Sequence, residues 1–314
     1  MAEIGKDVAL AAALLRAGEN VAVPTETVYG LAGIISNEAA IRRIFTIKNR
    51  PQSDPLIVHV DTVDAIPPLV KEFPSLAHKL FKAFSPGPLT ILLPKSEKVS
   101  DLITNASPLV AIRIPSHPLC QVLLRELGEP LAAPSANPFG GISPTRPEHV
   151  QAGIGAKIPY ILDGGPCSVG LESTIVQFTA EGEIRILRQG GISEESLQLF
   201  AELSRETEST QKPVVPGSML SHYAPQKPLY LDGENLPAGK AGWLCFQNPK
   251  SGIPLVEQKI LSQSGDVNEA ARNLFDALHA LDEMDVDFIV AEKATDEGLG
   301  RAINDRLYRA SVKR

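Results

Sequence analysis

Short runs of apolar residues alternate with segments of helical periodicity over the first two-thirds of the chain. Such runs, bounded by proline, glycine and polar residues, are typical of strands in a well-covered sheet. The predicted strands are 21–23, 56–60, 89–93, 110–114, 131–133, 174–178 and 184–187. They predict a sheet of about seven strands, and the sheet is mixed because the last two strands are separated only by the short segment 179–183.

Helical patterns lie between several of these strands. A helix is predicted over 8–15, because Glu3 and Asp7 leave no positively charged region for a secretion signal. Further helices are predicted around 41–48, 76–84 and 118–127, with a closing helix over 193–203. Strands alternating with helices predict a layered α/β domain for residues 1–204.

The pattern restarts at Leu229 and predicts a smaller, Rossmann-like α/β domain over 229–314. Its predicted elements are strands 229–231, 242–246 and 288–291 and helices 267–281 and 302–310. The segment 205–228 is rich in proline and lacks periodicity, which is typical of a linker. Apolar and aromatic residues punctuate this segment, namely Val214, Val215, Met219, Leu220, His222 and Tyr223. We therefore expect an ordered linker or lid that rests on the first domain.

Composition excludes several classes of protein. The net charge is −7, and residues 1–192 carry 17 Lys and Arg against 18 Asp and Glu, which argues against a bulk electrostatic grip on nucleic acid or anionic lipid. Three widely spaced cysteines exclude a disulfide framework and a Cys-x-x-Cys site. Phosphate-loop, HExxH and GxSxG motifs are absent, and no metal site in the chain is predicted. Without an apolar run long enough for a membrane, we expect a soluble protein, and the cysteine pattern fits a reducing cytoplasm.

Two arginines lie in or at the ends of predicted strands, where packing does not require them. Arg113 interrupts the apolar strand 110–114, and Arg188 follows strand 184–187. Arg113 is interpreted either as half of an internal ion pair with an aspartate or as a guanidinium fork for a carboxylate or phosphate. Both interpretations are open for Arg188 as well.

A second group of charged residues surrounds the end of the predicted helix 41–48. Lys48 and Arg50 are interpreted either as cations that complement the helix dipole or as ligands for an anion. The turn that follows places Asp54 and His59 beside them, although a single histidine in such a strand is more often part of the core than a catalyst.

Two polar segments follow predicted strands. Residues 134–145, PSANPFGGISPT, form either a plain turn cluster or a nest of amides and hydroxyls for an anion. Residues 23–31, VPTETVYGL, carry polar side chains that packing does not need. Together with the cations, these segments predict a pocket for a multiply anionic ligand.

The order and spacing of these motifs closely resemble the YrdC-type domain of threonylcarbamoyl-AMP synthases. The resemblance covers about residues 6–192 and rests on VPTETVYGLAG, KNRPQSDPLIVHV, SPGPLTILLPK, VAIRIPSHP, APSANPFGGISPT, LDGGPCSVGLESTIV and ILRQGGI. GSMLSHYAP and the closing GLGRAINDRLYRAS are similar to the longer, two-domain form of the family.

The resemblance implies that L-threonine, bicarbonate and ATP are joined into threonylcarbamoyl-AMP and pyrophosphate, the first step toward threonylcarbamoyladenosine in tRNA. It implies Mg²⁺ bound through the ATP phosphates, and a transient partner that transfers the threonylcarbamoyl group to tRNA. The family's pattern implies catalytic roles for Lys48 and Arg50. ATP contacts are implied for Lys48, Arg50, Asp54, Ser135, Ser143, Arg188 and Tyr223, with Asp54 standing where the family often has asparagine. Threonine contacts are implied for Thr27, His59, Arg113, Ala133 through its backbone, and Ser173.

Two other functions fit parts of the same pattern. An RNA-binding or ribosome-assembly protein would use a concave basic surface, which the near-neutral charge count and the 5% aromatic content disfavour. A carbamoyl transferase that uses carbamoyl phosphate would carry further domains with zinc-finger cysteines, which this sequence lacks.

Overall fold

Two separate β-sheets organise the chain in the computed structural model, which describes residues 1–204, 215–217, 221–233 and 235–312. The first sheet is mixed and has ten strands, and the second has four parallel strands. None of the helices in the described ranges has the length and apolar character needed to cross a membrane.

The large sheet confirms the predicted mixed architecture, but the expectation of about seven strands is wrong. Its strands are β1 (Glu3–Gly5), β2 (Val21–Val23), β3 (Gly30–Ile34), β4 (Ile57–His59), β5 (Leu89–Pro94), β6 (Leu109–Arg113), β7 (Leu131–Ala132), β8 (Tyr160–Leu162), β9 (Thr174–Phe178) and β10 (Ile184–Arg188). Their spatial order is β1-β8-β2-β3-β7-β4-β6-β5-β9-β10. The unpredicted strands are β1, β3 and β8. Two of them have only three residues, and β3 contains two glycines, so their local patterns are weak.

Helices cover both faces of this sheet. They are α1 (Val8–Arg16), α2 (Glu38–Lys48), α3 (Ser75–Phe84), α4 (Asp101–Thr104), α5 (Pro118–Leu127), α6 (Pro147–Ile154) and α7 (Glu194–Gln198). Successive residues of β2 show the layering, since Val21 and Val23 pack with α1 and α5, whereas Ala22 belongs to the core formed with α2 and α3.

The predicted closing helix 193–203 is wrong in its second half. The helix α7 stops at Gln198, and Leu199 and Phe200 are exposed. Beyond them the chain runs beside β10, where the amide of Ile184 donates to Glu202 and the amide of Ser204 donates to Ile184. This backbone pairing takes the place of a further helical turn.

The small sheet has the predicted Rossmann-like character, with one additional strand. Its strands are β11 (Leu229–Leu231), β12 (Ala241–Cys245), β13 (Gln258–Ile260) and β14 (Phe288–Ala291), in the order β11-β14-β12-β13. The helices α8 (Val267–Glu283) and α9 (Gly300–Ser311) accompany them. The sequence pattern missed β13, whose three residues include Gln and Lys.

The two sheets are joined through a shared apolar cluster. Val28, Ile142 and Leu171 from the first part pack in one buried cluster with Phe275 of α8 and Ile303 of α9. Parts of the proline-rich segment also lie here, since Val215 and Tyr223 are buried. Val214, Met219 and Leu220 of the same segment lie outside the described residues.

We predict that Gly170→Ala destabilises the protein more than Gly182→Ala. Both glycines have left-handed φ angles, +76° and +84°, so both substitutions carry the same backbone strain. A Cβ at Gly170 would lie 2.5 Å from the backbone of Arg272 in α8, whereas nothing lies within 4 Å at Gly182. Overpacking of this kind costs about 1–3 kcal/mol beyond the shared strain. Urea unfolding of both variants measures the difference, and equal losses would contradict this account of the interface.

Candidate active site

A single cleft at the ends of the central strands brings together nine of the twelve predicted site residues. They are Thr27, Arg50, His59, Arg113, Ala133, Ser135, Ser173, Arg188 and Tyr223. The sheet explains this convergence: His59 ends β4 and pairs in register with Arg113, the last residue of the neighbouring strand β6. Ala133 directly follows β7, Ser173 directly precedes β9, and Arg188 ends β10.

The other three predicted residues do not line the cleft, but each contacts a residue that does. The Lys48 ammonium donates to the carbonyls of Ser135 and Asn137, at 2.6 Å each. Asp54 forms an ion pair of 2.9 Å with Arg50. The Ser143 hydroxyl donates to Glu172, a cleft residue, at 2.6 Å. These residues shape the cleft without lining it.

Arg113 forms an internal ion pair, but its partner is a glutamate and not an aspartate. Its Nη2 lies 2.7 Å from Oε1 of Glu26, whose other oxygen accepts from the amide of Ser116. Glu26 stands inside the VPTETVYGL segment, where a single acid in a buried run could have pointed to this pairing. Arg113 still lines the cleft, so the pair holds a charged fork at its wall.

His59 is a neutral histidine beside this pair. Burial, together with the nearby positive charge of Arg113, lowers the pKa of its imidazole to about 3. At neutral pH the ring carries no charge and adds no repulsion to a cationic substrate group.

Lys48 and Arg50 are buried, which complementing a helix dipole does not require. The chain reverses between them because Asn49 adopts a left-handed conformation with φ 53°. Arg50 then donates to the carbonyls of Asp54 and Pro55 and faces the ring of Phe139. Burial and the charge of Arg50 lower the pKa of Lys48 well below its usual value.

Arg188 ties the cleft wall to the proline-rich segment. Its guanidinium donates twice to the carbonyl of Ser173, once to the hydroxyl of Ser173, and once to the carbonyl of Pro216 at 2.8 Å. Gly217 and His222 of the same segment also line the cleft. The described part of the linker therefore lies on the first domain, and its role as a lid stays a prediction.

Four titratable residues at the cleft were not among the predicted site residues. Glu172 and His222 line the cleft, and Glu26 and Arg306 contact residues that line it. Arg306 belongs to α9, is fully buried, and contacts Glu172 at 2.8 Å and the ring of Tyr223 at 4.9 Å. Its position on α9 carried a signal, since the periodicity of Ala302, Ile303, Leu307 and Ala310 places it on an apolar face. An arginine on such a face needs a partner from elsewhere in the fold.

Every buried acidic or basic residue in the described ranges lines this cleft or contacts a residue that does. Five are cations, namely Lys48, Arg50, Arg113, Arg188 and Arg306, and three are carboxylates, namely Glu26, Asp54 and Glu172. Although the chain carries a net charge of −7, its buried Lys, Arg, Asp and Glu residues include two more basic than acidic side chains. An excess of buried basic groups favours an anionic ligand.

Two family descriptions match nearly the whole chain. "Telomere recombination", the Sua5, YciO and YrdC family, matches residues 13–190, and "Threonylcarbamoyl-AMP synthase, C-terminal domain" matches residues 192–312. The threonylcarbamoyl-AMP synthase of Bacillus subtilis is 38% identical over 97% of this chain and 92% of its own. That of Pyrococcus abyssi is 37% identical over 96% of this chain and 93% of its own.

A solved structure supports the same relationship. The crystal structure of P. abyssi Sua5 complexed with L-threonine matches with a TM-score of 0.88 at 34% sequence identity. The match covers 99% of this chain and 97% of that one, so both sheets take part in it.

We predict that His59→Asn flattens the acid dependence of stability. Because the pKa of His59 is about 3 when folded, only the unfolded chain takes up this proton as the pH falls below about 6.5. Stability is therefore lost from about pH 6.5 down to about pH 3, and removing the imidazole should reduce the slope by up to about 1.4 kcal/mol per pH unit. Urea unfolding across this range measures the slope. His78→Asn, at an exposed position on α3, is the control, and equal slopes for wild type and His59→Asn would contradict the prediction.

Proposed function

From the membership of this chain in the threonylcarbamoyl-AMP synthase family, we propose that it joins L-threonine, bicarbonate and ATP into threonylcarbamoyl-AMP and pyrophosphate. The observation that carries the proposal is the cleft in which nine predicted substrate contacts meet, with five buried basic and three buried acidic residues in its lining or in contact with it. A triphosphate and an amino-acid carboxylate are anions of the kind that such a cleft favours.

The proposed chemistry balances without a dedicated acid–base pair in the protein. The threonine ammonium gives up a proton to solvent, and the neutral amine attacks bicarbonate. A C–N bond forms, a C–O bond of bicarbonate breaks, and the hydroxide takes an N–H proton and leaves as water, which gives a carbamate. A carbamate oxygen then attacks the α-phosphorus of ATP, and the bond to the β-phosphate breaks with its electron pair leaving on pyrophosphate. Because the nucleophile is already anionic, the protein contributes positioning and neutralisation of charge.

The proposed nucleotide contacts include four residues that line the cleft. Arg50 and Arg188 present cationic groups to the phosphates, with Ser135 and Tyr223 beside them. Lys48, Asp54 and Ser143 act from behind: Lys48 holds the 135–137 backbone, Asp54 orients Arg50, and Ser143 is bonded to Glu172. Under this proposal Arg50 is the catalytic residue that touches substrate, and Lys48 positions the loop.

The proposed threonine contacts are five other residues that line the cleft. Arg113 meets the carboxylate, the backbone of Ala133 and the hydroxyls of Thr27 and Ser173 provide further hydrogen bonds, and neutral His59 lies beside them. The Ser173 hydroxyl also bonds Thr90 at 2.7 Å, which fixes its rotamer.

We propose that magnesium enters with ATP as part of the substrate. Within the described residues no group of three or more His, Cys, Asp or Glu side chains is arranged to hold a metal ion. The three buried carboxylates of the cleft are each paired with an arginine. Phosphate oxygens and water would therefore supply the ligands of the ion. The product would serve tRNA modification in the cytoplasm through a partner that transfers the threonylcarbamoyl group.

We predict that pyrophosphate release requires threonine, bicarbonate and ATP together. The assay measures pyrophosphate from the complete mixture and after each single omission. A carbamoyl transferase would instead depend on carbamoyl phosphate, and an RNA-binding protein would release no pyrophosphate and would bind RNA with a steep salt dependence. Either result would contradict the proposal.

L-serine is the matched substrate control for this assay. It lacks one methyl group, which in a fitted pocket is worth about 10- to 200-fold in kcat/KM. Equal rates with serine and threonine would contradict a threonine-shaped site.

We predict that Arg113→Ala lowers kcat/KM for threonine by about 30-fold or more and changes the KM for ATP little, because a desolvated partner of the carboxylate is lost. The same substitution strands Glu26 and lowers stability. The double variant Glu26→Gln/Arg113→Ala separates the two effects, since it restores stability but not the use of threonine. Steady-state kinetics and melting curves measure both, and recovery of threonine use in the double variant would show that Arg113 only pairs with Glu26.

A further inference from the structure

Arg306 is a buried cation on the helix α9, which accompanies the C-terminal sheet. Its side chain contacts residues of the first part of the chain. Its side chain is fully buried. Nε contacts Glu172 at 2.8 Å, Nη2 donates to the carbonyl of Gln189 at 2.7 Å, and Nη1 contacts Asp305 at 2.7 Å. Each of the three guanidinium nitrogens therefore has a partner. Two of these partners, Glu172 and Gln189, belong to the first part of the chain.

Stability alone does not account for an arginine at this position. A buried ion pair recovers only part of the free energy that desolvation costs, and apolar residues of similar size are often as stabilising. The neighbouring positions on this face of α9 are apolar, namely Ala302, Ile303, Leu307 and Ala310. The other contacts of Arg306 and Glu172 indicate a role for this ion pair besides stability.

The carboxylate of Glu172 links Arg306 to Ser143, because each of its oxygens bonds one of the two residues. Its Oε2 faces Arg306, and its Oε1 accepts from the Ser143 hydroxyl at 2.6 Å. Burial by itself would raise the pKa of Glu172, but the charges of Arg306 and Arg188 and the hydrogen bond from Ser143 lower it below its usual value. Glu172 is therefore a carboxylate at neutral pH, with one oxygen for each partner.

The same guanidinium covers one face of Tyr223. Its central carbon lies 4.9 Å from the ring centroid, and Phe275 of α8 stacks on the ring at 5.7 Å. Tyr223 has a left-handed backbone with φ 61°, which a side chain adopts only when its surroundings hold it there. Two residues of the C-terminal part thus fix this ring.

We propose that Arg306 is a positioning residue for the nucleotide, acting through Glu172 on Ser143 and directly on Tyr223. The proposal rests on the proposed function, because only under it is Tyr223 a nucleotide contact and Ser143 a support of the nucleotide site from behind. It gives the C-terminal part of the chain a role at the active site: docking of α9 completes the support of the nucleotide contacts, whereas the threonine contact Arg113 is held separately by Glu26.

The test compares Arg306→Met with Arg301→Met in the full chain. Arg301 lies on the same helix and forms an ion pair with Glu195 of the first part at 2.6 Å, but it is partly exposed and away from the cleft. We expect Arg306→Met to raise the KM for ATP by about 10-fold or more, as loss of a partner from a buried charge pair does. We expect the KM for threonine to change by less than about threefold, and Arg301→Met to leave both values unchanged.

Two further variants keep the test decisive if Arg306→Met folds poorly. Arg306→Lys keeps the positive charge but loses the planar guanidinium and its several donors. Compared with Arg306→Met, it should therefore recover only part of the affinity for ATP. Glu172→Gln should reproduce the defect, and the double variant Glu172→Gln/Arg306→Met should be no worse than Arg306→Met alone, because the two residues act in series.

The outcomes separate the two proposals. A wild-type protein that releases no pyrophosphate with threonine, bicarbonate and ATP contradicts the proposed function. An active wild type whose Arg306 variants lose melting temperature but keep the KM for ATP contradicts the positioning role. Additive effects of Glu172→Gln and Arg306→Met contradict the coupling through Glu172.

Discussion

Burial of eight charged side chains around one cleft is the constraint on which the rest of this structure depends. A guanidinium or an ammonium removed from water must find carboxylates or carbonyl oxygens at hydrogen-bond distance. The chain meets this demand with backbone as much as with acids: the carbonyls of Ser135 and Asn137 receive Lys48, and those of Ser173 and Pro216 receive Arg188. These hydrogen bonds to Lys48 and Arg188 fix the loops that carry the carbonyls.

The same constraint explains why the two sheets form one functional unit. Arg306 from α9 meets Glu172 just before β9, and Arg188 at the end of β10 meets Pro216 in the proline-rich segment. Each bond joins sequence-distant segments, and each ends at the cleft. The apolar cluster of Val28, Leu171 and Phe275 supplies the contact area, whereas the charged groups determine which parts of the two surfaces face each other.

Much of the fold and of the site was accessible from local sequence patterns, for identifiable reasons. Strands such as β5 and β6 are apolar runs bounded by proline. Arg113 in β6 and Arg188 at the end of β10 are conspicuous because packing cannot use a charge. Glu172 and Arg306 escaped this reasoning since each is explained only by the other, 134 residues away. The strands β1 and β8 escaped it because each is short and is completed by a partner from the opposite end of the large domain. The extent of α7 was wrong because pairing beside β10 overrode its helical pattern.

Because Arg306 lies on the last helix, it is also made later than the other buried charged residues of the cleft during synthesis. The strands β1 to β10 leave the ribosome before α9, so the large sheet and Glu172 exist in the nascent chain while one of their ionic partners, Arg306, is still unmade. Until α9 is made, Glu172 lacks the ion pair that joins the two sheets at the cleft. A chain interrupted before α9 would contain every strand of the large sheet and still lack this ion pair.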